Sequence, residues 1–482
     1  MIEILSVTSE IYPLVKTGGL ADVAGALPMA LKPHGHKMRT VLPGYPKVVD
    51  KMHRAKVAAE IKDLFGGPAR LLTGRLKGLD LIVIDAPHLY AREGSLYTNG
   101  SGGDWPDNWK RFAALGWVAA ELAHGLIEGY EPDILHAHDW QGAMACAYLR
   151  YHEGKPVPSI ITIHNLAFQG RFSAEIFSEL RLPDEAFSMD GVEYYGGVGF
   201  LKAGLASASA ITTVSPSYAR EVRTAEGGMG LQGLLDMRFA DLHGITNGID
   251  LTDWDPAIDK ALNTQFTAAQ IQQRAGNKRA LEVEFELDSD DGPLFGVVSR
   301  LTWQKGIDVL VEAADRLVAL GGRLAVLGSG ESALEGAVKA AAQRHEGRIG
   351  VKIGYDENLS HLMQGGADAM IVPSRFEPCG LTQLYALRYG CVPVVSRVGG
   401  LADTIIDAND AALSAGVATG IQFAPLTVQA LGDALARAVE LYEQPKIWRR
   451  LQRCGMKSDV SWSHSASRYA ALYEDLLASK EG

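Results

Sequence analysis

A chain of 482 residues is too long for one hydrophobic core, so at least two domains are expected. With 47% apolar and 21% charged residues, it has the composition of a globular protein and excludes a disordered or fibrous one. Its 46 basic and 57 acidic residues give a net charge of −11, which excludes the basic footprint of a nucleic-acid binder but not a local site for an anion.

The N-terminus, Met1-Ile2-Glu3-Ile4-Leu5-Ser6-Val7, reads as a strand and lacks the basic leader and long apolar stretch of a signal peptide. No uncharged apolar run is long enough to span a bilayer, so a membrane is not an expected partner. Cys146, Cys379, Cys391 and Cys454 form no C-x-x-C pair or zinc-type cluster, as expected of a reduced cytoplasmic chain.

In chain order, short apolar runs bounded by turn residues predict buried strands at 2–8, 37–42, 79–84, 133–138, 159–164 and 210–214. Helical patterns lie between them at 21–31, 109–125 and 142–151. Asn247-Gly248-Ile249-Asp250 is a turn signal, and a hinge is placed at 247–256. A polar helix is expected at 264–287. The acidic run Asp288-Ser289-Asp290-Asp291 reads as a solvated connector. Strands follow at 294–298, 323–327, 349–353, 369–372 and 392–395, with helices at 306–320, 332–344, 359–364 and 381–389. The segment 461–480 is amphipathic and helical. The fold class is α/β, with domains at 1–247 and 248–456 and a terminal segment, 457–482, returning to the first.

One stretch occurs twice. Lys16-Thr17-Gly18-Gly19-Leu20-Ala21-Asp22 and Arg397-Val398-Gly399-Gly400-Leu401-Ala402-Asp403 each join an apolar run to a helical one. Paired glycines there permit positive φ and close backbone approach, and a helix N-terminus behind them favours an anion. The repetition suggests two related halves. Ligands of open α/β sheets lie beyond the C-terminal ends of the strands, so the residues just after each strand form the inventory. After 294–298 come Arg300 and Lys305, a planar fork and a point charge suited to a diphosphate or to a solvated basic loop. After 369–372 come Glu377, Cys379, Gly380, Leu381 and Thr382, where backbone N–H groups open a helix. In the first half, 133–138 ends at His138-Asp139-Trp140 and 159–164 at His164-Asn165. His136 and His138 share a strand face, but no third ligand at a familiar spacing accompanies them, so no metal is expected.

K-T-G-G-L-A-D-V at 16–23, H-A-H-D-W at 136–140, T-I-H-N at 162–165, S-R-L-T-x-Q-K-G at 299–306 and P-S-R-F-E-P-C-G-L-T-Q at 373–383 resemble, in order, the bacterial glycogen synthase and plant starch synthase family. The resemblance implies a GT-B fold: two Rossmann-like domains whose parallel sheets face a cleft. It also implies retaining α-1,4-glucosyl transfer from ADP-glucose to the non-reducing end of glycogen, with ADP released and no cofactor. By the same resemblance, Lys16, Gly18, Gly19 and the neighbouring Asp22 belong to the donor site. Arg300, Lys305 and the N–H groups of Gly380, Leu381 and Thr382 hold its phosphates. His164, Asn247, Glu377 and Cys379 surround the glucose, with Asp139 and Tyr97 at the sugar and acceptor and Tyr355 on the adenine. The catalytic set is Glu377, Arg300, Lys305, His164 and Asp139. The Gly-rich segment 227–233 is expected to be a mobile loop near the acceptor. Many retaining relatives of wider type carry E-x7-E; here Tyr385 stands at the second position.

Two rival readings are weaker. A nicotinamide dehydrogenase needs G-x-G-x-x-G, whereas Thr8-Ser9-Glu10-Ile11-Tyr12-Pro13 follows the first strand and Gly328-Ser329-Gly330 lacks the third glycine. A non-catalytic glucan-binding protein would not need Lys16, His164, Arg300, Lys305 and Glu377 together. The residues alone do not separate ADP from UDP, since both carry the diphosphate.

Overall fold

The computed structural model describes residues 1–100 and 102–478. The chain divides into two units, Met1–Asn247 with the segment from Trp462 onward, and Gly248–Ser461. The second crossing lies at Ser461/Trp462, later than 456/457, and residues 479–482 of the expected last segment lie outside the described residues.

Among the described residues, the first unit holds a nine-stranded sheet. From one edge its strands run Leu242–Gly244, Ala210–Thr213, Ser159–Ile163, Ile134–His138, Glu3–Val7, Lys37–Pro43 and Leu79–Asp85, all parallel, then Ala69–Leu76 and Lys56–Ile61, antiparallel. Ile134–His138, Ser159–Ile163 and Ala210–Thr213 are buried along their whole length, as apolar runs covered on both faces must be. The antiparallel pair extends the sheet beyond the expected strands. Lys56–Ile61 is a mostly solvated edge strand and so carries no continuous apolar run.

The helix Ser463–Ala478 packs Tyr469, Ala470 and Tyr473 against Ile4, Val23, Leu27 and Ile134 of this unit. The Tyr473 hydroxyl lies 2.8 Å from His136 Nδ1, and His136 Nε2 lies 2.6 Å from the Thr162 hydroxyl. One imidazole nitrogen thus ties the terminal helix to the sheet, and the other joins two neighbouring strands. The segment 227–233, expected as a mobile loop, is laid down on this unit: Gln169 Nε2 donates to the Met229 carbonyl at 3.0 Å, and Leu231 is buried.

The second unit holds a six-stranded parallel sheet in the order Ile349–Ile353, Arg323–Gly328, Leu294–Val298, Ala369–Val372, Val392–Ser396, Ile421–Phe423. The last strand, of three residues, is too short to announce itself. The helix expected at 264–287 is interrupted. A 3₁₀ segment, Ala268–Gln273, with a non-helical Gln270, precedes the helix Arg274–Glu284. The Asn277 side chain accepts from the Thr264 N–H at 2.7 Å and donates to its carbonyl at 2.8 Å, which holds the preceding chain out of helix. Nor is the acidic run merely solvated. Asp290 pairs with Arg323 and Arg348, and Arg279 reaches Asp291 at 3.0 Å.

Taking only the parallel strands in chain order, the second sheet reads 3-2-1-4-5-6, and the first repeats that order before its seventh strand. In each, the order reverses between the first and fourth strands, where a crevice opens at the strand ends. The doubled sequence does not mark equivalent points of the two units. The Lys16 copy follows the first strand of one sheet, and the Arg397 copy follows the fifth of the other.

Candidate functional site

In the first unit the reversal point lies between Glu3–Val7 and Ile134–His138. The chain leaving the first strand turns in Glu10, which is 3% exposed. Its carboxylate accepts from the Thr17 backbone N–H, from the Thr17 hydroxyl at 2.9 Å and from the Tyr97 hydroxyl at 3.1 Å. Tyr97 also shares a 2.7 Å hydrogen bond with Ser9. Burial pushes the Glu10 carboxyl above its ordinary range, against the Thr17 and Tyr97 hydrogen bonds. A buried carboxylate thus fastens the Lys16–Gly19 turn to the strand end. Glu10 is absent from the expected site residues, although its place directly after a strand is a usable signal. Lys16 Nζ pairs with Asp22 at 2.8 Å and lies 5.4 Å from the Tyr12 ring centroid. Gly18 is extended, φ −158°, with nothing within 4 Å of where a Cβ would stand. Its use is open space at a helix start, not positive φ.

The other strand ends of this unit place Asp139 and His164 together. Asp139 adopts φ +51° as it enters the helix Asp139–Arg150, a strained conformation for a residue with a Cβ. Its Oδ1 accepts from the backbone N–H groups of His164 at 2.7 Å and Asn165 at 3.4 Å. His164 Nε2 lies 3.1 Å from His138 Nδ1. Burial lowers both imidazoles, so both rings are neutral at neutral pH. Asn247, the last residue before the crossing, is buried, and its Oδ1 has no partner among the described residues.

Burial pushes the Asp139 carboxyl from 3.8 up to about 7, despite the two N–H bonds. Between those values the unfolded chain has lost a proton that the folded protein keeps, so stability falls as pH rises and is level above about 7. Asp139→Asn keeps the acceptor oxygen and tolerates positive φ. It is expected to raise the melting temperature at pH 8 and leave it unchanged near pH 4. Equal shifts at both pH values in a thermal-unfolding series would reject this.

In the second unit the reversal point lies between Leu294–Val298 and Ala369–Val372, and the two following loops are locked together. Gln304 accepts from the Arg375 N–H at 2.8 Å and donates to the Phe376 carbonyl at 3.2 Å. Arg375 forks onto Asp308 at 2.7 and 2.6 Å. Gly306 has φ +66°, and a Cβ there would lie 1.9 Å from the Pro373 carbonyl oxygen, so only glycine allows this approach. The result is that Lys305 Nζ meets Glu377 Oε2 at 2.5 Å, while the Ser374 hydroxyl donates to the same oxygen at 2.8 Å. Lys305, Glu377, Ser299, Gly380 and Thr382 line one recess. The helix Thr382–Tyr389 begins beside it without a side-chain cap, so its N-terminal dipole is available to an anion. The Arg300 side chain is exposed and makes no hydrogen bond or ion pair among the described residues. Cys379 is buried, and Tyr355 stands 75% exposed just past the strand Ile349–Ile353.

The Arg397 copy of the doubled sequence supports this loop from behind. The Gly400 N–H donates to the Glu377 carbonyl at 3.0 Å, and a Cβ on Gly400 would lie 2.2 Å from the Cys379 carbonyl oxygen. Arg397 itself bonds Gln422 at 2.9 Å. Gly400→Ala must therefore push the Glu377 loop and is expected to cost about 1–3 kcal/mol. Gly18→Ala, in open space, is expected to change stability by less than about 1 kcal/mol. Denaturant unfolding of the two variants checks the contrast.

Among the described residues, no group of three or more His, Cys, Asp or Glu side chains is placed to hold a metal. The second unit offers a cationic loop, a part-buried Lys–Glu pair and a helix N-terminus. The first holds a lysine turn and a neutral-histidine cluster.

Comparison with known proteins identifies the family. Residues 3–237 match the family model for the starch synthase catalytic domain, and residues 280–453 match that for glycosyl transferases group 1. The chain is 59% identical to a glycogen synthase of Mesorhizobium japonicum over 478 residues and to one of Novosphingobium aromaticivorans over 480, covering 99% of each chain in both cases. Among solved structures it resembles the catalytic domain of starch synthase IV from Arabidopsis thaliana bound to ADP and acarbose. The TM-score is 0.88 and the identity 32%, over 99% of both chains. Sucrose-phosphate synthase from Thermosynechococcus elongatus matches at TM-score 0.59 and 17% identity, over 99% of this chain and 100% of that one, and shares the fold alone. The molecule is a glycosyltransferase with the GT-B fold. Within that class, the chain belongs to the glycogen synthase and starch synthase family.

Proposed function

We propose that the strand-end loops described above serve one glucosyl-transfer reaction. The enzyme elongates α-1,4-glucan chains at their non-reducing ends, taking glucose from ADP-glucose with retention of configuration and releasing ADP. The substrates read from this are ADP-glucose and glycogen, with neither nucleic acid nor membrane as partner. A cytoplasmic setting is in keeping with four cysteines that form no disulfide.

The observation that carries the assignment of roles is the second unit's recess, where Lys305, the start of the helix Thr382–Tyr389 and Glu377 are held by interlocked loops. Breaking the glucose–phosphate bond puts negative charge on the leaving diphosphate. Lys305, Arg300 and the N–H groups of Gly380, Leu381 and Thr382 are the fixed positive groups suited to receive it. Lys16, Gly18 and Gly19 are assigned to the donor phosphates, with Asp22 orienting the lysine. Glu377 takes a sugar hydroxyl while holding the Lys305 ammonium in place. His164, neutral and backed by His138, suits a hydrogen bond to another sugar hydroxyl, with Asn247 and Asp139 nearby in function. Tyr97 serves the acceptor side, and exposed Tyr355 suits a base. Retention follows from attack on the same face: the acceptor's 4-oxygen bonds to C1, the C1–O(phosphate) bond breaks, and a phosphate oxygen takes the acceptor's proton.

Initial rates of nucleotide release with ADP-glucose and with UDP-glucose on glycogen, together with the anomeric configuration of the product, test this reading. Faster turnover of ADP-glucose with an α-linked product is expected. Absence of glucan-dependent ADP release, or a β-linked product, would reject it.

A further inference from the structure

The helix Pro445–Lys457 in the second unit buries Trp448, Leu451, Gln452 and Gly455. The residues it exposes are Pro445, Lys446, Arg449, Arg450, Arg453 and Lys457. Apart from the proline, its whole solvent face is cationic, and the helix contains no acid. None of these five side chains makes an ion pair or hydrogen bond among the described residues. This is costly as plain surface. Lys446 faces Arg449 and Arg450, Arg449 faces Arg453, and Arg453 faces Lys457 at helical spacings of three and four, where like charges repel. Lys446 also sits in the first turn, the wrong end for a cation in the helix dipole. A solvated face in a chain with more acids than bases would be expected to interleave the two.

The five cations line a recess of about 380 Å³ together with Gly416 and Cys454. Gly416 ends the helix Asp410–Ala415 at φ +72°, and a Cβ on it would lie 1.6 Å from Arg450 Nη2. The Cys454 thiol donates to the Gly416 carbonyl at 3.2 Å. The floor is therefore bare backbone that lets a guanidinium lie against it. The volume suits a small molecule. Several guanidinium forks suit phosphoryl oxygens. The helix exposes no aromatic side chain on which bases could stack and no aliphatic one to enter a bilayer.

We infer that this recess is a second anion site that binds a small molecule carrying two or more phosphoryl charges, separate from the Lys305–Glu377 recess. The test is calorimetric titration of inorganic pyrophosphate into the full chain at near-physiological salt with ADP saturating, which keeps the donor site occupied. The expected result is one pyrophosphate bound per chain. Arg449→Ala/Arg453→Ala should weaken it roughly 100-fold, about tenfold for each guanidinium removed from the phosphoryl oxygens. ADP affinity should be unchanged and the melting temperature equal or higher, since removing exposed, mutually repelling arginines does not threaten folding. No pyrophosphate binding by the ADP-saturated protein, or equal binding by the variant, would overturn the inference. Tighter binding of single-stranded RNA or of anionic phosphatidylserine vesicles, abolished in the same variant, would also overturn it.

Discussion

Lys305→Ala is expected to leave a folded protein whose kcat has fallen about a hundred- to a thousand-fold, the usual loss when one preorganised donor to developing charge is removed. The ammonium is fixed before any ligand arrives, by the 2.5 Å ion pair with Glu377, so no reorganisation is needed as the diphosphate leaves. The same pairing makes a second effect separable from the first. Glu377 is 6% exposed, and without Lys305 its carboxylate keeps only the Ser374 hydroxyl as a side-chain partner among the described residues. A buried charge left short of partners costs about 1–3 kcal/mol. Lys305→Ala should therefore also lower the melting temperature. Lys305→Ala/Glu377→Gln removes the stranded charge and should recover most of that stability while recovering none of the kcat. Recovery of turnover in the double variant would mean that Lys305 acts only by neutralising Glu377, and near-normal turnover in the single variant would remove it from the reaction.

The central strands were legible because each is a short apolar run ending in chemistry-bearing residues, and burial on both faces leaves such a run no polar interruption. The edges were not. Lys56–Ile61 and Ala69–Leu76 carry exposed and half-exposed positions, and Leu242–Gly244 and Ile421–Phe423 have three residues each. At the site, strand-end position put Arg300, Lys305, His164 and Glu377 among the residues to inspect, and the family resemblance supplied the roles expected of them. Neither could show what supports them, since the supporting bonds join distant parts of the chain. Glu10 reaches Thr17 and Tyr97, Gln304 reaches Phe376, and Gly400 reaches the Glu377 carbonyl. The doubled Gly-Gly-Leu-Ala-Asp shows the same limit. Its copies agree in sequence, yet one opens a helix beside empty space and the other wedges under a loop. A motif records local backbone requirements, and the neighbours that decide its use lie far away in the chain.

Arg300→Ala is expected to lower kcat/KM by a similar hundred- to thousand-fold while leaving the melting temperature unchanged within about 0.5 kcal/mol of stability. The two halves of that expectation come from one observation. Arg300 follows the strand Leu294–Val298 with its side chain exposed and bonded to nothing in the described protein, so its removal breaks no interaction on which the fold depends. A long cation held at a strand end without a partner is either surface or half of a pair whose other half is the ligand. If it is surface, Arg300→Ala, Arg300→Lys and wild type should turn over alike. If it grips the diphosphate, Arg300→Lys restores charge but not the two-pronged geometry and should recover only part of the loss. ADP should also bind the alanine variant more weakly. Because stability is held constant across the series, a graded loss in steady-state rates cannot be ascribed to misfolding, and an ungraded one would assign the donor's charge to Lys305 and the helix N-terminus alone.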